Sequence, residues 1–108
     1  MHRTGRSRAD SGSSAAFAAA AALVLSACGP VLFTTRIDAA ERKLQQARDE
    51  NARWYAPYEY YYAEAHLEKA RTEAAEASYE DALRYARTAE QYSVRALQIT
   101  AHKRAIER

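Results

Sequence analysis

"WYAPYEYYY", residues 54–62, decides how this chain folds. The sequence on both sides of it is helix-forming. No glycine follows Gly29, the only proline after Pro30 is Pro57, and Ala, Glu, Arg, Leu and Gln dominate. All five are favourable in helices. Pro57 biases Ala56 away from helical geometry and is itself well placed in the first turn of a new helix. A full reversal here gives a three-helix bundle. A bend alone gives one long kinked helix plus a returning helix, a helical hairpin.

The apolar periodicity favours reversal. One stripe runs Phe33, Ile37, Ala40, Leu44, Ala47, Asn51, Trp54, in alternating steps of four and three. A second runs Ala56, Tyr60, Ala63, Leu67, Ala70, Ala74, Ala77, and a third runs Tyr79, Ala82, Ala86, Ala89, Ser93, Ala96, Thr100. These are heptad seams, as in coiled coils and helices packed at shallow angles. The phase slips by a step of two between Trp54 and Ala56 and again between Ala77 and Tyr79. At the second slip, "SYED" (78–81) reads as an N-cap with an acidic residue three positions on, a capping-box variant. The expected fold is all-α, with helices near 35–52, 57–76 and 79–106. Alanine seams bury little area, so the helices must approach closely and overpacking, as in Ala70→Leu or Ala89→Leu, is expected to push them apart.

The quoted stretch carries six aromatic rings in nine positions, five of them from the chain's eight tyrosines. Tyr60 falls on the second seam. At about 100° per residue the other rings of that helix point elsewhere. They form either an aromatic plug, covered by Trp54 or Leu44 and by Ile99 or Ile106, or an exposed patch that docks a partner or a glycan. The candidate partner-binding residues are Tyr55, Tyr58, Tyr61 and Tyr62.

The beginning of the chain has a different character. Arg3, Arg6 and Arg8 precede an apolar run, "AAFAAAAALVL" (15–25), and then "LSAC" (25–28). A basic start, a short apolar run and small residues before a cut are the features of a secretory signal. "LSAC" resembles the bacterial lipoprotein cleavage box. The resemblance implies a signal peptide over 1–27, cleavage before Cys28, and acyl chains (a diacylglyceryl thioether and an amide-linked palmitate or similar chain) on that residue. Two or more such chains hold a protein on a bilayer essentially permanently. Gly29 after the cysteine resembles an outer-membrane address, facing the periplasm. Residues 28–35 then form the lipidated cysteine and a spacer, and 36–108 the helical domain. Cys28 is the sole cysteine, so no disulfide is expected within the mature chain.

Loss of Arg3, Arg6, Arg8 and Asp10 with the signal leaves 13 basic and 13 acidic side chains. That balance removes the electrostatic basis for nucleic-acid binding and for a polybasic membrane patch. Chemistry is sparse. His66 and His102 stand in no metal-ligand spacing, and His66 reads as a solvated surface side chain. The acidic pairs belong to a charged outer face. Neither a nucleophile–base set nor a glycine-rich phosphate loop can be assembled. No cofactor, no metal and no enzymatic activity is expected.

"ASYEDALRYARTA" (77–89) resembles the turn and second helix of a tetratricopeptide-type hairpin, but one hairpin makes no repeat array. "APYEYYYAEAHLEKARTEA" (56–74) followed by "SYEDALRYARTAEQYSVRA" (78–96) is more closely similar to a family of small bacterial envelope lipoproteins catalogued as a domain of unknown function. Some relatives are fused to a peptidoglycan-binding module; the sequence shows none up to Arg108, so their wall binding is not carried over. The resemblance implies an envelope location and a helical fold. The expected function is that of a membrane-anchored structural or adaptor lipoprotein of the cell envelope, holding the membrane through Cys28 and meeting an envelope protein or another copy of itself. The alternative is a small-ligand or lipid-binding protein with a pocket between helices near the rings.

Overall fold

The computed structural model describes residues 30–108. The expected signal, the expected lipidation of Cys28 and the start of the expected spacer lie outside the described residues. Four helices follow one another: α1 over residues 30–49, α2 Ala52–Tyr55, α3 Pro57–Ala75 and α4 Tyr79–Glu107. Among the described residues there is no strand.

Cross-helix partners fix the directions. Glu41 pairs with Arg71, and Arg48 with Glu64, so α1 and α3 run antiparallel. Tyr62 meets Tyr92 and His66 meets Tyr85, so α3 and α4 are antiparallel too. Phe33 packs on Tyr79 at one end and Glu50 pairs with Arg104 at the other, so α1 and α4 run in the same direction. This is a three-helix bundle with a one-turn helix in its first connection. The chain reverses near Pro57 rather than merely bending there.

The reversal uses two breaks where the sequence suggested one. Asn51 takes left-handed geometry at φ 66°, α2 makes a single turn, and Ala56 leaves the helix at φ −139° before Pro57 opens α3. Asparagine tolerates that left-handed conformation better than most residues. The first seam therefore stops at Ala47. Asn51 is exposed and Trp54 is 76% exposed, while Ala52 and Ala56 are buried in their place. The helix also begins earlier than residue 35. It already includes residue 30, and the Thr34 and Thr35 hydroxyls donate back to the carbonyls of Pro30 and Val31.

The second turn is a Schellman motif without glycine. The Ser78 N–H donates to the Glu73 carbonyl at 2.8 Å and the Ala77 N–H to that of Ala74 at 3.0 Å, with Ala77 at φ 60°. Ser78 stands at the N-cap of α4 but its side chain makes no capping bond, and Asp81 pairs with Arg84 instead. The expected capping box does not form. Ala77, assigned to the second seam by periodicity, is exposed because the seam ends where the helix does.

The core is a ladder of alanines. Ala40, Ala47, Ala52, Ala63, Ala70, Ala82, Ala86 and Ala96 have no accessible surface, and the larger buried apolar side chains are Ile37, Leu44, Leu67 and Tyr60. Such small side chains let helix backbones come close, at the expense of area removed from water. The third seam is buried from Ala82 through Thr100.

Candidate functional site

Both candidate surfaces follow from the bundle's direction. Residue 30, which continues the chain from Cys28, lies at the end formed by the α3–α4 turn. The ring-rich stretch lies at the other end, beside the last turns of α4. At 1.5 Å per residue, α1 separates the two by about 30 Å.

The four sequence-selected tyrosines fall into three settings. Tyr55 is half-buried and tied to α4. Its hydroxyl donates to Glu107 Oε2 at 2.7 Å, the Arg104 guanidinium lies 5.5 Å from its ring centre, and its carbonyl accepts from Lys103 Nζ. The bond to Glu107 holds the phenol's pKa above the ordinary tyrosine value, with desolvation adding and nearby Arg104 opposing. With the Arg104–Glu50 pair at 2.8 Å, these contacts clamp the first connection onto the last turns of α4.

Tyr58 and Tyr61 are 65% and 52% exposed. Tyr58 rests on Tyr62, with ring centres 5.7 Å apart, and Tyr61 meets the edge of Tyr60 at 5.1 Å. Tyr62, expected at the surface, is half-buried inside a ladder that crosses the α3–α4 seam. Its ring stacks on His66 at 4.1 Å and packs at a tilt against Tyr92 at 4.2 Å, and His66 continues to Tyr85 at 5.8 Å. Arg95, Lys69 and Arg84 lie over the outer rings of Tyr92 and Tyr85. His66 is thus half-buried between rings, not the solvated side chain expected from sequence. Its Nδ1 lies 2.9 Å from the Tyr62 carbonyl. A carbonyl only accepts, so Nδ1 is the donor of this bond.

Burial thus divides the rings, with some packed inward and Tyr58 and Tyr61 left exposed. Tyr60 is fully buried, and its hydroxyl accepts from Arg48 Nε at 2.9 Å and donates to Glu64 at 3.2 Å. The Tyr60 hydroxyl bond keeps the Arg48 guanidinium's pKa above its usual value. The side chains expected to cover the rings do not all do so: Leu44 is buried, while Trp54 and Ile106 are exposed. Trp54, Tyr58, Tyr61 and Ile106 make the end remote from residue 30 unusually rich in exposed apolar surface. The α4 partners of the ladder were not evident from sequence. Their signal is the spacing of Tyr58, Tyr62, His66 and Lys69 against Tyr85, Tyr92 and Arg95 in antiparallel register, readable only once the turn is placed.

A groove of about 710 Å³ lies between α1 and α3, lined by Arg42, Glu68 and the cross-groove partners Glu41, Arg71, Arg48 and Glu64. Among the described residues no three His, Cys, Asp or Glu side chains converge to hold a metal ion, and no helix is long and apolar enough to cross a membrane.

Neither curated proteins nor solved structures provide a match to this chain. A family model does match, over residues 35–108, the whole of the bundle apart from the first turns of α1. The chain therefore belongs to the family of the domain of unknown function DUF4398.

Proposed function

We propose that this protein is a lipid-anchored component of the bacterial envelope that presents the aromatic end of a helical bundle to a protein partner. The observation that carries the reading is the polarity of the bundle. The chain runs back toward Cys28 from one end, and the exposed rings of Trp54, Tyr58 and Tyr61 lie at the other. An anchor at Cys28 would point those rings away from the bilayer, toward whatever faces it. Tyrosine and tryptophan combine a large apolar body with a polar tip and are enriched where proteins meet. The role is positional: acyl chains set the location, the bundle sets the distance, and the rings make the contact. Charge pairs cross the groove between α1 and α3, which favours docking at the rings over a small ligand held between helices.

Photo-crosslinking in the native cell tests this. A photoreactive residue replaces Tyr58 or Tyr61, with Cys28→Ala as the matched control. The expected result is one specific protein adduct that disappears when the anchor is removed. Absence of an adduct from both positions, in protein that is folded and membrane-bound, would remove the rings as a docking surface.

A further inference from the structure

Besides the ring-rich end, the end nearest Cys28 is also apolar. Val31 and Leu32 are 62% and 55% exposed in the first described turn of α1. Beside them Phe33, Ile37, Ala74, Ala75 and Tyr79 line an open groove of about 480 Å³. From Gly29 to Thr35 the sequence carries no charge. From these features we infer that this end is a lipid-binding surface in its own right: Val31, Leu32 and the mouth of the groove seat in the headgroup–acyl boundary of a bilayer. The inference rests on the anchoring proposed above.

Reach makes the bilayer the fitting occupant. Only Gly29 and Pro30 lie between Cys28 and Val31, so the three steps span at most about 11 Å even when fully extended. An acylated Cys28 sits at the boundary of the hydrocarbon, and the polar layer above it is only about 5–8 Å thick on each side. Val31 and Leu32 are therefore confined to that layer or its edge, and burying their apolar surface there is favourable.

The rim is acidic on balance. Exposed Arg36 lies one turn after Leu32, but exposed Glu76 and Glu80 and half-buried Glu73 border the α3–α4 turn, and Arg71 and Arg84 are paired with Glu41 and Asp81. The seat is thus apolar, suited to a zwitterionic surface and indifferent to salt.

The test uses the processed, acylated protein on zwitterionic phosphatidylcholine vesicles. Trp54 is the sole tryptophan and lies at the far end, so the unaltered chain reports on that end. Leu32→Trp in a Trp54→Phe background reports on the near end. The expected result is a blue-shifted Leu32→Trp emission that is strongly quenched by shallow brominated acyl chains, while Trp54 in the parent is unquenched. Neither 20% anionic lipid nor raised salt should change the quenching.

An unquenched Leu32→Trp probe on protein that co-floats with vesicles overturns the seat and leaves the anchor standing. So does a probe that is blue-shifted but unquenched, since something other than the bilayer then covers it. Quenching that requires anionic lipid overturns the apolar seat. Acylated protein that fails to float removes the anchor, and this inference with it.

Discussion

Thr100 is the one residue in the buried third seam whose polar atom is orphaned: its Oγ1 has no hydrogen-bond partner among the described residues. Ser93, one heptad earlier on that seam, donates to the Ala89 carbonyl at 2.8 Å and has no such problem. A buried hydroxyl without a partner carries its full desolvation penalty. Thr100→Val keeps the β-branched shape and removes the penalty, so it should stabilise by about 1 kcal/mol, raising Tm by roughly 4–8 °C for a domain of this size. A melt followed by circular dichroism checks it. Tyr55 makes a prediction of a different kind. Its pKa is raised in the folded state, chiefly by the bond to Glu107. The folded protein then holds the phenol proton longer than the unfolded chain. The contribution to stability is fully present below the ordinary tyrosine pKa and is lost as pH rises through the raised one. Glu107→Gln should bring the Tyr55 transition down toward the ordinary value, as phenolate absorbance would show. These local networks were the part of the site least legible in sequence. "YAP" and "AIER" stand fifty residues apart, and nothing in their spacing says that Tyr55 and Glu107 meet.

At the scale of elements the sequence was far more informative, because helices announce themselves by period and the seams alternate in steps of four and three. The burial of Ile37, Ala40, Leu44 and Ala47, and of Ala82 through Thr100, was readable directly. What periodicity misses are residues at the ends of the pattern. Trp54 and Ala77 kept the rhythm by position yet lie outside, since a left-handed residue ends or turns the helix at each place: Asn51 three residues before Trp54, and Ala77 itself. The Ala77 turn offered no signal at all, as such turns are usually marked by glycine. Ala77→Gly should accordingly stabilise by about 1 kcal/mol, the penalty a Cβ carries in that conformation. Denaturant midpoints at unchanged slope would show it, and a destabilised variant would mean that chain entropy outweighs the strain. The alanine seam makes the opposite prediction for size. Ala89 is buried in the core, so Ala89→Leu should destabilise by about 1–3 kcal/mol.

At the scale of the whole molecule, the described bundle has two distinct ends, one at residue 30 and one at the exposed rings. Its middle is held by an alanine core and by cross-helix pairs such as Arg48–Glu64 and Arg71–Glu41. These pairs are largely exposed, where ion pairs are worth at most about 1 kcal/mol each, so they select register more than they supply stability. The position of residue 30 at one end and the exposed rings at the other was foreshadowed by sequence only if the chain reversed at Pro57. A hairpin with one long kinked helix would have put the rings mid-rod. That single turn decides whether the rings lie at the end remote from residue 30.

The alanine core also shapes how the protein responds to temperature. Unfolding it exposes little apolar surface per residue, and the heat-capacity change of unfolding comes mainly from such surface. Calorimetry should give a value below the usual 12–15 cal/mol/K per residue. The stability curve is then shallow: its maximum is modest, and it falls gently on both the warm and the cold side.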